Sequence, residues 1–154
     1  MFEMQVTSNT PLVTTEDHHV LLETFLTQIG YIPKGTDLKS STTGIRDSVP
    51  YRLFVEFLLS NPAKAWAVEE LAALMDTSKP TVYRHLNKLR NMDLLESAEV
   101  DFDGQSRKGF RFRFGDFSKA WSFAEANVSM AMENYRKSVN HIQAVMARRL
   151  REGV

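Results

Sequence analysis

The chain contains no cysteine among its 154 residues. This absence excludes a disulfide framework, a thiol nucleophile and a cysteine-ligated metal site, and it agrees with the reducing cytoplasm in which we expect the protein to work. No stretch approaches the run of about 18 apolar residues that a membrane-spanning helix needs. The start of the chain also lacks the basic-then-apolar order of a secretion signal. We therefore expect neither membrane insertion nor export.

The sequence has no excess of charge of either sign, because 19 Lys and Arg residues balance 19 Asp and Glu residues. A neutral sum argues mildly against a nucleic-acid partner, but the distribution of charge matters more than the sum. Residues 1–35 contain four acids and one lysine, whereas residues 76–114 contain eight basic and six acidic residues. Residues 115–154 contain six basic and four acidic residues, so the charge is weakly polarised, with positive parts in the middle and at the end of the chain.

Glycine and proline are scarce, and neither occurs between Phe117 and Arg151. This gap predicts one helix of about 35 residues and about 50 Å. Apolar residues recur along it at spacings of four and three, with a one-residue slip after Tyr135 that is typical of a coiled-coil stutter. Because one small domain would leave much of this stripe exposed, we predict a homodimer. The predicted contacts are Phe117, Trp121, Ala124, Val128, Ala131, Tyr135, Val139, Ile142 and Met146.

The first third of the chain predicts two helices separated by a linker. Thr14 or Thr15 is the expected cap of the first helix, and Gly30 its end. Residues 33–47 are rich in Lys, Gly, Ser and Thr, which indicates a linker or exposed loop. Asp47 or Ser48 is expected to cap the second helix. The predicted apolar faces consist of Leu22, Phe25, Leu26 and Ile29 in the first helix, and of Leu53, Phe54, Phe57 and Leu58 in the second.

The middle of the chain predicts a short strand at residues 66–68, a helix at 69–75, a turn, and a helix that Ser78 caps. A strand at residues 94–101 and an Asp-Gly turn follow. Residues 108–114 then alternate, with Phe110, Phe112 and Phe114 on one face, as in a strand. This order is the layout of a winged helix-turn-helix, in which the second helix of the pair enters the DNA major groove.

Residues 68–97 read VEELAALMDTSKPTVYRHLNKLRNMDLLES. This stretch resembles the central motif of ArsR-like and related bacterial and archaeal winged-helix regulators, most specifically at residues 78–86, and the resemblance extends over about residues 48–115. It departs from the family at Asp93, where the pattern has glycine. The resemblance implies a mainly helical fold with a small β-hairpin wing. We divide the chain into an N-terminal helix and linker (1–47), a winged helix-turn-helix domain (48–115) and a dimerisation helix (116–154).

The resemblance and the helical pattern together predict a transcriptional regulator that binds double-stranded DNA at a near-palindromic site as a homodimer. Val82, Leu86 and Leu89 share the inward face of the second helix, so its opposite face is free for DNA. We expect base or phosphate contacts from this face and the wing. The predicted base readers are Thr81, Tyr83, Arg84, Asn87 and Lys88, and the predicted backbone contacts are Ser78, Lys79, Pro80, Arg107 and Lys108.

Other functions remain open at this point. A winged domain can instead serve as a protein-protein interaction module in a larger complex. Phe110, Phe112 and Phe114 would be the base-stacking platform of an RNA-binding protein. The sequence offers no catalytic constellation, no paired metal ligands and no cofactor motif, so we expect neither an enzyme nor a cofactor. A pocket for a small effector is conceivable, lined by Trp66, Trp121, Phe123, Met130, Met132 and Tyr135.

Overall fold

The computed structural model describes residues 3–7, 10–33 and 44–153. Most of the predicted linker, residues 34–43, lies outside these ranges. The last part of that segment, Ile45–Asp47, is a 3₁₀ turn. The helices are α1 (His18–Gln28), α2 (Val49–Arg52), α3 (Val68–Leu74), α4 (Lys79–Asn91) and α5 (Phe117–Arg151), and the strands are β1 (Trp66–Ala67), β2 (Leu95–Phe102) and β3 (Gln105–Phe112). The predicted fold class, mainly helical with a small sheet and one long terminal helix, is confirmed.

The second predicted helix begins as α2 after Ser48 and continues as a π-helical stretch, Leu53–Leu59. Its predicted apolar face is correct: Leu53, Phe54 and Leu58 are buried, and Phe57 packs against the same core. The wider winding was not predicted, because the periodicity of so short a segment does not separate an α-helix from a π-helix.

The strands form one antiparallel sheet in the order β1-β3-β2. Trp66 pairs with Phe110, so the two-residue strand β1 ties the start of α3 to the wing. The β2–β3 turn consists of Asp103 and Gly104, with φ values of 54° and 74°. Two positive φ values are those of a type I′ turn, whose twist matches that of the flanking strands. The predicted Asp-Gly hairpin is therefore present.

Phe114 departs from the predicted strand. β3 ends at Phe112, and Phe114 lies in a 3₁₀ turn with a φ of 64° and more than half of its surface exposed. Two contacts hold this uncommon backbone conformation. The Phe114 N–H donates to the Glu96 carboxylate over 3.1 Å, and its ring meets the edge of the Phe123 ring. Alternation along β3 predicted the inward face correctly at Phe110 and Phe112, but the turn into α5 interrupts it.

Helix α1 packs against the first turns of α5 within the same chain. The Phe25 ring contacts the rings of Phe117 and Trp121 at 6.0 and 5.5 Å, and Phe117 also contacts Phe54. Asp17, not Thr14 or Thr15, caps α1, because its carboxylate accepts from the N–H groups of His19 and Val20. Gly30 follows the helix with a φ of 83°, as its predicted end requires.

Helix α5 is continuous over 35 residues, as predicted. The Asp116 carboxylate caps it by accepting from the N–H of Lys119 over 2.8 Å. No helix within the described ranges is both long enough and apolar enough to cross a membrane.

Candidate nucleic-acid interface

Helix α4 is held by its inward face. The side chains of Val82, Leu86 and Leu89 are fully buried, and they pack in one core with Leu71 of α3. The Ser78 hydroxyl caps the helix by accepting from the N–H of Thr81 over 3.3 Å, as predicted. These contacts fix the rotation of α4 about its own axis. They therefore also fix which of its side chains point away from the core.

The outer face of α4 is polar and exposed. Pro80, Arg84 and Asn87 are exposed along its length, and Ser78 and Lys79 are exposed at its start. The helix contains four basic residues and no Asp or Glu. A guanidinium can fork onto a guanine edge and an amide onto an adenine edge, so this face has the chemistry for reading bases. Thr81 is half-buried because its hydroxyl bonds that of Ser78 at 2.8 Å.

Lys88 does not share this exposure. Its ammonium donates to the carbonyl oxygen of Tyr31 over 3.0 Å, and the residue is half-buried on the side of α4 that faces the end of α1. Lys88 thus uses its ammonium for a hydrogen bond within the chain in this structure, and its role as a base reader stays a prediction.

Arg90 is a cation that the sequence analysis missed. Its guanidinium lies 5.5 Å from the Phe110 ring, and the Lys108 ammonium lies 5.4 Å from the same ring. Arg90 also donates to the side-chain oxygen of Asn87 over 3.3 Å. The edge of the Tyr83 ring faces Phe110 too. A cluster of Tyr83, Arg90 and Lys108 thus fills the angle between α4 and the wing. The position of Arg90, three residues after Asn87 on a predicted helix, could have indicated that the two side chains are neighbours.

The wing carries charges of both signs. Arg107 is half-buried and paired with Glu69 at the start of α3, at 3.4 Å. Lys108 is exposed, and its strand position faces Glu99. Asp101 and Asp103 lie at the tip, and both are exposed. Of the two predicted phosphate contacts of the wing, only Lys108 is free of an ion pair among the described residues.

His85 belongs to the packing of α4 and not to its exposed face. Its ring meets the Tyr31 ring edge-on at 6.4 Å. Burial, reinforced by the neighbouring cations Arg84 and Lys88, lowers the pKa of His85 to about 4. The imidazole is therefore neutral near pH 7 and adds no charge to the interface.

The predicted dimer contacts divide into two groups. Phe117, Trp121 and Ala124 pack against the core of their own chain; Ala124 is fully buried, whereas Phe117 and Trp121 keep part of their surface exposed. Val128 and Ala131 are half-buried. The remaining four are exposed: Tyr135, Val139, Ile142 and Met146.

The structure does not bring together the base-stacking platform or the effector pocket that the sequence suggested. Phe110 and Phe112 are fully buried, which is incompatible with a base-stacking platform. The side chains of the proposed effector pocket are dispersed: Trp66 packs on Phe57, Trp121 on Phe25, and Phe123 under Arg113. Among the described residues, no group of three or more His, Asp or Glu side chains is placed to hold a metal ion.

Comparison with known proteins finds a family match for the central part of the chain. Residues 47–98 match the family model described as a helix-turn-helix domain. No curated protein matches the chain. Among solved structures, a chain from Methanosarcina mazei Go1 described as a possible transcriptional regulator is 14% identical, and the match covers 61% of this chain and 77% of that chain with a TM-score of 0.42. A likeness at this level is too weak to carry an argument.

The family match begins just before α2 and ends within β2, so it contains the helix pair whose geometry is described above. The β2–β3 hairpin follows directly on α4 and supplies the wing. The matched residues and the hairpin together therefore have the layout of a winged helix-turn-helix.

Proposed function

We propose that this chain is a sequence-specific regulator of transcription that binds double-stranded DNA through α4. The observation that carries the proposal is the composition of that helix: it is basic, lacks any acid, and is anchored by three fully buried side chains at the position from which a helix-turn-helix domain inserts into the major groove. The chain as a whole is neutral, and the four basic residues of α4 supply the local positive charge that contact with DNA requires.

The structure supports separate roles for the exposed side chains. Arg84 and Asn87 lie centrally on the outer face and are the proposed base readers, with Thr81 beside the cap. Ser78, Lys79 and Pro80 occupy the helix start, where the Lys79 ammonium and the positive end of the helix dipole favour a phosphate. Tyr83, Arg90 and Lys108 form the flank toward the wing and are the proposed backbone contacts.

The proposal includes a homodimer. Tyr135, Val139, Ile142 and Met146 leave at least half of their surface exposed on the far half of α5. An apolar stripe of this length is unusual on a monomer and is typical of an interaction surface. Two copies of α4 about 34 Å apart would read a near-palindromic site, because the symmetry of the protein is then repeated in the DNA. The closer resemblance to ArsR-like regulators remains a prediction.

Fluorescence anisotropy tests this function. The purified chain is titrated into a labelled duplex from upstream of its own gene and into an unrelated duplex, between about 50 and 200 mM salt. We expect tighter binding to the upstream duplex and a steep loss of affinity with salt, since phosphate neutralisation releases counterions. Failure to bind either duplex at about 50 mM salt would contradict the proposal.

A second candidate is a protein-protein interaction module. The exposed carboxylates of Asp101 and Asp103 at the wing tip favour it, because a tip that meets phosphate is normally not acidic. Such a module would keep its affinity for its protein partner as salt rises and would show no affinity for duplex DNA.

A further inference from the structure

The far half of α5 carries a seam with heptad spacing. Val128, Met132, Tyr135, Val139, Ile142 and Met146 follow one another at intervals of four, three, four, three and four residues. Met132 is 61% exposed, and it continues the spacing without the slip that Ala131 introduces. Six positions at these intervals lie on one face of a helix and are the pattern of a two-helix coiled coil.

We propose that two copies of the chain pair through this seam in an antiparallel arrangement with one defined register. Val128 then lies opposite Met146 of the partner subunit, Met132 opposite Ile142 of the partner subunit, and Tyr135 opposite Val139 of the partner subunit. The two-fold axis passes between the levels of Tyr135 and Val139. This inference rests on the homodimer in the proposed function and specifies its geometry.

The charges at the two ends of the seam select this direction. Glu125 occupies the seam position before Val128, and Arg149 occupies the one after Met146. The proposed register places Glu125 opposite Arg149 of the partner subunit at both ends. A parallel pair would instead place each of these residues beside its own copy, and like charges at a seam are unfavourable.

The rest of α5 favours the same direction. Residues 134–151 contain five Lys and Arg residues and no acid. A parallel pair would bring the two basic ends together, whereas an antiparallel pair brings each basic end to the half of the partner helix that contains Glu125 and Glu133. Within the described residues neither Glu125 nor Arg149 forms an ion pair inside the chain.

A groove marks the place where the partner helix would lie. It has a volume of about 560 Å³ and lies between the N-terminal segment, the end of α4 and the first part of the seam. Its lining includes Val128, Met132 and Tyr135 from α5, with Ile29 after α1 and Met92 after α4. In the proposed register, Ile142 and Met146 of the partner subunit face this groove. The dimer contact would thereby reach the end of the DNA-reading helix and fix its position relative to the two-fold axis.

Cysteine cross-linking tests the register, because the natural chain has no cysteine. Full-length Met132→Cys and Ile142→Cys chains are oxidised separately and as a refolded mixture, then run on non-reducing gels. Both side chains are more than half exposed, so neither change removes a core contact. In the proposed register equal positions lie ten residues apart, or about 15 Å along the axis, which is too far for a disulfide. Ala144→Cys, exposed on the outer face of α5 and away from the two-fold axis, measures random collision.

We expect covalent dimer in the mixture and no more than the Ala144→Cys background in each single variant. Cross-linking of Met132→Cys to itself, with the wild-type chain dimeric by light scattering, would overturn the antiparallel register while the homodimer stands. A wild-type chain that stays monomeric by light scattering at about 100 μM would overturn both the homodimer and the antiparallel register.

A charge swap provides a second measurement that needs no disulfide. Glu125→Arg alone places arginine against arginine twice per dimer, so we expect the dimer dissociation constant to rise roughly 3- to 30-fold. The double variant Glu125→Arg/Arg149→Glu restores opposite charges and should return to within about threefold of wild type. An unchanged dissociation constant in the single variant, or no recovery in the double variant, would overturn the pairing.

Discussion

Arg84 is the side chain on which the proposed sequence-specific reading depends most. It is exposed at the centre of the outer face of α4 and is two residues from the buried Val82 and Leu86 that fix the helix. We expect Arg84→Ala to weaken specific binding by about 1–3 kcal/mol and to relax the preference at one base pair of each half-site. Anisotropy on duplexes with single base substitutions measures both effects.

Lys137→Ala is the matched control, because it removes one exposed cation from α5 far from α4. It should leave the base preference unchanged. If Arg84→Ala keeps the full discrimination between bases, the outer face of α4 is not the reading surface.

Lys79 and Lys88 lie on one helix but should respond differently to the same substitution. Lys88→Met removes the hydrogen bond to the Tyr31 carbonyl, so it should lower the free energy of unfolding by about 0.5–1.5 kcal/mol. Lys79→Met removes an exposed charge, so it should leave stability within about 0.5 kcal/mol and reduce the salt slope of DNA binding by about one. Urea denaturation and anisotropy separate the two. A Lys88→Met chain of full stability and reduced salt slope would return Lys88 to the DNA interface.

Asp93 has an unfavourable backbone conformation and a favourable side-chain hydrogen bond. Its φ is 60°, and its carboxylate accepts from the side-chain amide of Asn127 on α5 over 2.7 Å. Asp93→Ala loses the hydrogen bond and keeps a conformation that costs an L-residue about 1–2 kcal/mol. Asp93→Gly loses the same bond but relieves the backbone, so it should be the more stable variant by about 1 kcal/mol in urea denaturation. Equal stabilities would show that the backbone is not strained here.

The sequence predicted which residues of α4 face the core, but it did not predict the contacts of every residue outside that face. Helical period is a local property, so Val82, Leu86 and Leu89 could be assigned as buried from their spacing alone. The Lys88 bond joins residues 57 positions apart, and no local pattern reports such a contact. Asp93 stands where the family pattern has glycine, and its positive φ is a conformation that glycine adopts readily.

The wing is the element whose charge fits the DNA-binding function least well. Asp103 lies at its tip in the left-handed conformation that asparagine also tolerates. Asp103→Asn should therefore keep the turn and tighten DNA binding by roughly two- to fivefold at about 50 mM salt, because one repulsion with phosphate is removed. Glu16→Gln, before α1, is the control for net charge. Equal affinities of the Asp103→Asn and wild-type chains would place the wing tip away from the DNA backbone.

At the scale of elements the sequence predicted most of the architecture. Uninterrupted spacing predicted α5, and the Asp-Gly pair predicted the β2–β3 turn, because both are local signals. The first helix began later than predicted, since Asp17 competes with Thr15 and its carboxylate reaches two N–H groups. Phe117 and Trp121 both contact Phe25 of α1 in their own chain, and the sequence did not predict this contact because an apolar stripe does not reveal which surface it meets. Their intersubunit role stays a prediction.

For the whole molecule, one helix links the two halves of the proposed function. The first turns of α5 pack on the winged domain, and its far half extends beyond that domain with an exposed apolar seam. Whatever fixes the angle between two such helices also fixes the distance between two copies of α4. The antiparallel pairing would therefore set the spacing of the half-sites that the dimer recognises.

The most direct test of the central claim is selection of bound duplexes from a random pool by the full-length wild-type chain, followed by sequencing. We expect enrichment of one near-palindromic site whose half-sites are centred about one helical turn, or 10 base pairs, or a small multiple of it apart. We also expect the Arg84→Ala chain to lose the preference at one symmetric pair of positions. A pool that stays random after repeated rounds, although the chain is folded, would contradict sequence-specific reading by α4.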